Sequence, residues 1–139
     1  MKLHHIGIAT NNIEKLTKEY LKDGYKVSAE VYDPIQKANL RLMQKADHDN
    51  IELITTDDQT SRVYKITKDN YKKPYHICYL VKNIEKAVKE QKDKGFIAIT
   101  AVENAVLFNR RICFLYKKGE IIELLEEQWK NYSYIEIVP

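Results

Sequence analysis

Long apolar runs are missing from this chain of 139 residues. The densest stretch, Ile121-Ile122 and Leu124-Leu125, is split by Glu123 and is far too short to cross a bilayer. The first ten residues also lack the apolar core of a secretory leader, because His4 and His5 interrupt it. Cysteine is scarce: Cys78 and Cys113 alone cannot make a disulfide framework, so a reducing cytoplasm is the expected compartment. No block of one charge sign exists either. The net charge of +3 arises from interspersed Lys and Glu, which gives no argument for nucleic acid. Against these absences, 44% hydrophobic and 31% charged residues describe a globular domain with a real core.

The chain repeats itself. Residues 5–27 and 76–98 align without gaps at an offset of 71 and are identical at nine of 23 positions. Ordinary residue usage would give roughly one or two. The same offset carries Ile-Glu-Leu-Ile at 51–54 onto Ile-Glu-Leu-Leu at 122–125, a match not used to find it. Two copies are too few for a solenoid, so a pseudo-twofold pair is expected.

Each copy reads as strand, helix and three strands. Residues 3–9 form a β-branched apolar strand. Asn11 or Asn12 caps a helix with apolar Ile13, Leu16, Tyr20 and Leu21, and Gly24 ends it. Strands follow near 26–32, 38–44 and 50–55. The second copy gives a strand at 76–81, a helix at 84–94 closed by Gly95, and strands near 97–102, 111–116 and 120–126. The expected fold class is α+β: two tandem βαβββ modules (1–55 and 75–127) whose curved mixed sheets form a metal-binding cleft in one domain. A connector (56–74) holds a short helix near 61–67, and a tail (128–139) adds a strand or covers an edge.

His5, Glu52, His76 and Glu123 stand in apolar strands, where an imidazole or carboxylate needs a partner. Alternation puts Ile51 and Leu53 opposite Glu52, and Ile122 and Leu124 opposite Glu123, so both carboxylates can face one cleft. The His-to-Glu spacing is 47 in each copy (52 − 5 and 123 − 76). A lone strand His or Glu is ordinarily structural; the duplicated pair argues for ligands. His4 competes with His5 but has Tyr75 as its counterpart. His48, in Asp-His-Asp-Asn, reads as a solvated turn. Two imidazoles and two carboxylates suit one divalent ion, and on an octahedral ion they leave two positions open. Cys78 shares a strand face with His76 and could line the cleft, its default being a buried free thiol. Tyr79 and Tyr116 read as packing, and 108–111 as a loop over the cleft mouth or a turn into a strand.

Over residues 3–127 the motifs HHIGIA…NIEK, IELI, YHICYLV…NIEK and IIELLEE resemble the vicinal oxygen chelate superfamily, which includes glyoxalase I, methylmalonyl-CoA epimerase, extradiol dioxygenases and bleomycin-resistance proteins. The resemblance implies paired βαβββ modules. It implies a metal held by a His of each first strand and a Glu of each last strand, which here match His5, His76, Glu52 and Glu123. Zinc or nickel is favoured over cobalt, manganese or iron. It implies a small substrate that chelates the ion through neighbouring oxygens. The ion stabilises the developing oxyanion while a base moves a proton alpha to a carbonyl. By the same resemblance Glu123 is that base, Glu52 is its symmetric counterpart, and a homodimer is expected, with the cleft closed within one chain or across two.

A glyoxalase I-type isomerase or lyase is thus the leading expectation. An acyl-CoA epimerase and a ligand-sequestering resistance protein are the alternatives. The epimerase carries an additional Glu on the third strand of module one, and residues 39–43 offer no carboxylate. An iron dioxygenase, built on two His and one carboxylate, has no use for a fourth ligand. Arg41, Arg110 and Arg111 could bind an anionic substrate, although surface placement is the ordinary reading. Arg41 has the best claim because it interrupts an apolar strand.

Overall fold

The computed structural model describes residues 1–127 and the short strand at Ile137–Val138. The elements run β1 (Lys2–Ala9), α1 (Ile13–Lys22), β2 (Lys26–Ser28), β3 (Val31–Asp33), β4 (Ala38–Gln44), β5 (Asn50–Thr55) and α2 (Tyr64–Asp69). They continue β6 (Lys73–Val81), α3 (Ile84–Asp93), β7 (Ile97–Ala98), β8 (Glu103–Ala105), β9 (Arg110–Lys117), β10 (Glu120–Glu126) and β11 (Ile137–Val138).

The two long helices form for the same local reason. The Asn12 side chain accepts from Lys15 N at 3.1 Å and Asn83 from Lys86 N at 3.0 Å, so one orphan amide of each first turn is satisfied. Gly24 (φ 91°) and Gly95 (φ 99°) follow the last turns in the left-handed conformation that stops a helix cheaply only at glycine. One face of α1 (Ile13, Leu16, Tyr20) packs on Ile51 and Leu53, and one face of α3 (Ile84, Ala87, Val88) packs on Ile122 and Leu124. Each such Leu or Ile contributes about 1.5–3 kcal/mol on burial.

All eleven strands belong to one open mixed sheet, ordered β11-β2-β4-β5-β1-β6-β10-β9-β7, with β3 on β4 and β8 on β9. Its centre is a seam in which β1 and β6 run antiparallel. On either side β5 lies parallel to β1, and β10 parallel to β6. The two long helices cover one face. The other face carries a third apolar cluster that includes Leu40, Leu42, Ile54, Cys78, Phe108, Phe114 and Leu125, with Ile66 of α2 packed against it.

The α+β class and paired-module arrangement match the sequence expectation, and three details differ. The strand expected near 26–32 is broken into β2 and β3, and the one expected near 97–102 shrinks to β7 with β8 following only at Glu103–Ala105, because a side-chain hydroxyl replaces the ladder at each break. Ser28 Oγ accepts from Leu42 N at 2.9 Å, and Thr100 Oγ1 from Phe114 N at 3.0 Å. The strand expected from 76 begins at Lys73, since Pro74 is tolerated next to an irregularity in the β1–β6 register. The short helix lies at Tyr64–Asp69, slightly later than expected. Of the tail, Ile137–Val138 adds an edge strand to β2; residues 128–136 lie outside the described residues.

Candidate metal centre

The seam between the modules builds the site. β1 contributes His5, β6 contributes His76, and the parallel neighbours β5 and β10 contribute Glu52 and Glu123. One ligand atom from each lies within 4.8 Å of every other. His5 Nε2 stands 3.0 Å from His76 Nε2. Glu123 Oε1 is 3.1 Å from the first nitrogen and 3.0 Å from the second. Glu52 is held more loosely, at 3.5 Å from His5 and 3.9 Å from His76. All four residues are 3% exposed or less, and all come from one chain.

Burial and unlike neighbours split the two carboxyls. Desolvation works against the charge of Glu123, but hydrogen bonds from His5 and His76 outweigh it and hold its pKa below the ordinary value. Glu52 has no such partners. Burial, and then the charge of Glu123, push its proton affinity well above normal. Its Oε1 is buried without a hydrogen-bond partner. Such an orphan is costly, and a cation beside it would remove the cost. Two facing imidazole nitrogens with two carboxylates can therefore hold one divalent ion.

Two β-bulges aim the surroundings at this cluster. Across the seam, Leu3 pairs with Tyr79 and His5 with Cys78, so His4 is an extra residue; Gly7 pairs with His76 and Ile8 with Pro74, so Tyr75 is another. Both extra residues turn toward the cluster side. His4 Nδ1 lies 2.9 Å from His5 Nδ1, and the Tyr75 ring stands 4.5 Å from that of His76. Burial, then the neighbouring His5, lower the His4 pKa to about 3, so this imidazole is neutral. The Tyr75 hydroxyl donates to Gln36 Oε1 at 2.9 Å, and Gln36 Nε2 donates to Asp33. Gly7 makes room for His76: a Cβ there would lie 2.1 Å from the ring's Cε1 and Nδ1.

Two symmetric turns close over the cluster. In turn 34–37, before β4, Gln36 reaches Tyr75. In turn 106–109, before β9, Phe108 stacks on His5 at 5.5 Å. Lys37 (φ 53°) and Asn109 (φ 52°) end the turns alike. Behind the Tyr75 and Phe114 rings that flank His76, a slot of about 60 Å³ is also walled by Val63, Ile99, Ile121, Gln36 and Arg62.

Thus His5, Glu52, His76 and Glu123 come together as the repeat predicts. Arg41 and Arg111 do not join them. Arg41 pairs with Leu53 in register, which places it on the α1 side, 3.5 Å from Glu14 and from Glu30. Arg111 is clasped by Glu85 and Glu126, at 2.6 Å each. Each Arg is engaged by carboxylates of its own chain. Arg110 is buried and follows the face of Ile112 and Phe114. Cys78 is fully buried, and desolvation followed by the carboxylates Glu123 and Glu52 keeps it a thiol. Sequence reasoning missed Gly7, Gln36 and Asp33. The repeat held one signal, since Gly7 stands where module two has Cys78.

A mixed open sheet of two βαβββ modules with a buried His₂Glu₂ cluster at their seam defines the class of protein. The chain belongs to the Glyoxalase/Bleomycin resistance protein/Dioxygenase superfamily, whose model matches residues 4–114. Among solved structures it is similar to methylmalonyl-CoA epimerase from Mycobacterium tuberculosis (TM-score 0.81, 21% identity, 93% of this chain and 89% of that one). It is similar too to a Streptomyces coelicolor methylmalonyl-CoA epimerase in complex with 2-nitronate-propionyl-CoA (TM-score 0.80, 21% identity, 96% and 98%). A hypothetical protein from Bacillus halodurans C-125 gives a TM-score of 0.79 at 23% identity, covering 95% and 98%. No curated protein sequence matches the chain. No helix among the described residues is long and apolar enough to cross a membrane.

Proposed function

We propose that the protein is a metal-dependent enzyme that moves a proton alpha to a carbonyl, in the manner of a glyoxalase I-type lyase or isomerase. The observation that carries this is the buried His5–Glu52–His76–Glu123 cluster, in which two carboxylates share one pair of imidazoles. These four residues would hold the ion, with zinc or nickel favoured. When bound it supplies a Lewis acid for a substrate carrying neighbouring oxygens. The chain's own contribution lies in the two carboxyls. Glu123, fastened to both imidazoles, orients them. By the family resemblance Glu123 also accepts the proton and returns it, and Glu52, the more loosely held, is its symmetric counterpart. The slot beside His76 would take an apolar substituent of the substrate. The turn carrying Phe108 covers His5 and must swing aside for entry.

Acyl-CoA epimerisation is the second reading, favoured by the epimerases among the similar structures. Against it, β4 presents Leu40 and Leu42 toward the cluster side and no carboxylate. Metal analysis of purified protein beside Glu52→Ala and Glu123→Ala is the first test; a wild type that takes up no divalent ion after reconstitution ends the enzyme reading. Hemithioacetal isomerisation and acyl-CoA epimerisation assays then separate the two reactions. Light scattering checks the expected homodimer.

A further inference from the structure

We propose that His4 is a positioning residue for the metal centre: through the bulge in β1, its imidazole accepts a hydrogen bond from His5 Nδ1 and so fixes His5 with its Nε2 lone pair toward Glu52, His76 and Glu123. The inference rests on the metal reading above. The geometry is specific. His4 and His5 are adjacent in sequence, and in a regular strand their side chains would leave opposite faces of the sheet. The bulge between Leu3 and His5 breaks that alternation and brings Nδ1 of one ring within 2.9 Å of Nδ1 of the other. A neutral imidazole holds one proton. If His5 Nε2 faces the cluster as a ligand, the proton must sit on Nδ1, and His4 Nδ1 is the acceptor at hand. The Phe108 ring, 4.9 Å from His4 and edge-on, holds His4 in that attitude.

The second module makes the contrast. Its bulge residue is Tyr75, whose hydroxyl goes to Gln36, and His76 Nδ1 is buried with no hydrogen-bond partner. Two imidazoles that look equivalent in the repeat are therefore unequally supported, and His5 is the anchored one. Outer partners of a ligating His typically change metal affinity by about 10–100-fold.

The test uses the full chain with zinc as probe. His4→Phe keeps a ring and removes the acceptor; His4→Asn places an oxygen near the lost nitrogen. Zinc affinity by competition should fall about 10–100-fold in His4→Phe and return to within a few-fold in His4→Asn. Long-range ¹H–¹⁵N spectra of the zinc-loaded wild type should show His5 bound through Nε2 with its proton on Nδ1, and in His4→Phe that proton should exchange with solvent faster. Equal zinc affinity in wild type and His4→Phe, or no recovery in His4→Asn, overturns the proposal. So does a zinc-loaded protein in which His5 binds through Nδ1. A second zinc ion lost with His4 would also overturn it, by making His4 a ligand with Cys78. A wild type that binds no zinc sinks the metal reading instead, while the change that His4→Phe makes in the His5 Nδ1 shift of metal-free protein still reports on the His4–His5 contact by itself.

Discussion

Replacing Gly7 with alanine adds one methyl group to the centre of the seam, and the structure says where it lands. The new Cβ meets Cε1 and Nδ1 of His76 at 2.1 Å. Ordinary carbon contact needs about 3.5 Å, so the ring must retreat by about 1.4 Å. It cannot retreat freely: His76 is 3% exposed, with Tyr75 at 4.5 Å and Phe114 at 5.4 Å between ring centroids. Gly7 has no positive φ, so alanine brings no backbone strain of its own. On propensity alone a strand Gly→Ala change gains about 0.5–1 kcal/mol. Overpacking of this kind costs about 1–3 kcal/mol, which reverses the sign. For a chain of this length that lowers Tm by roughly 2–10 °C. Because the displaced ring carries a ligand nitrogen, zinc affinity should fall by about tenfold or more. Thermal melting and zinc competition read both quantities. His76→Ala in the Gly7→Ala background should recover part of the lost Tm, as a double-mutant cycle requires for groups in contact. A Gly7→Ala protein that melts at or above wild type and binds zinc normally would refute the close approach.

The two cluster carboxyls should respond oppositely in metal-free protein. Glu52 has a raised pKa, so the folded state keeps a proton that the unfolded state releases, and stability declines as pH rises from the ordinary carboxylate range through the raised value. Glu123 has a lowered pKa and contributes stability above that range, lost as pH falls. At pH 8, therefore, Glu52→Gln should raise the metal-free Tm and Glu123→Gln should lower it, while both weaken zinc binding; shifts of one sign would contradict the assignment. Phe108→Ala removes a fully buried ring from over His5 and should cost about 3–5 kcal/mol in denaturant unfolding. A chelator should also strip zinc from it faster than from wild type. Arg111→Gln should leave zinc affinity unchanged, since that side chain is occupied by Glu85 and Glu126; a large drop would return it to the site.

The centre was legible in the sequence because duplication acts on it as a whole. Equal spacing selected His5 and Glu52 with His76 and Glu123, and alternation correctly turned Ile51 and Leu53 toward α1. His48 is exposed, as its polar setting suggested. What alternation cannot register is its own interruption. The bulges at His4 and Tyr75 leave no local sign, since they depend on which residue across the seam is skipped. Arg41 looked like an intrusion into a strand, but the apolar run hides two faces, and Arg41 lies on the one where Glu14 waits. Residues 108–111 were legible as a turn at the cleft, but Gln36 escaped notice because turns 34–37 and 106–109 differ in every residue, although they occupy matching places.

The seam carries a consequence for how such a chain can change over generations. Each half supplies one imidazole and one carboxylate, so two identical half-length chains meeting along this strand pair would have assembled the same four groups. In such an ancestor every substitution would have appeared twice, once on each side of the cluster. Joining the halves into one polypeptide removed that obligation. His4 opposite Tyr75, and Gln36 opposite Phe108, are differences that only a fused chain can inherit. A single chain thus allows the surroundings of a symmetric cluster to be handed.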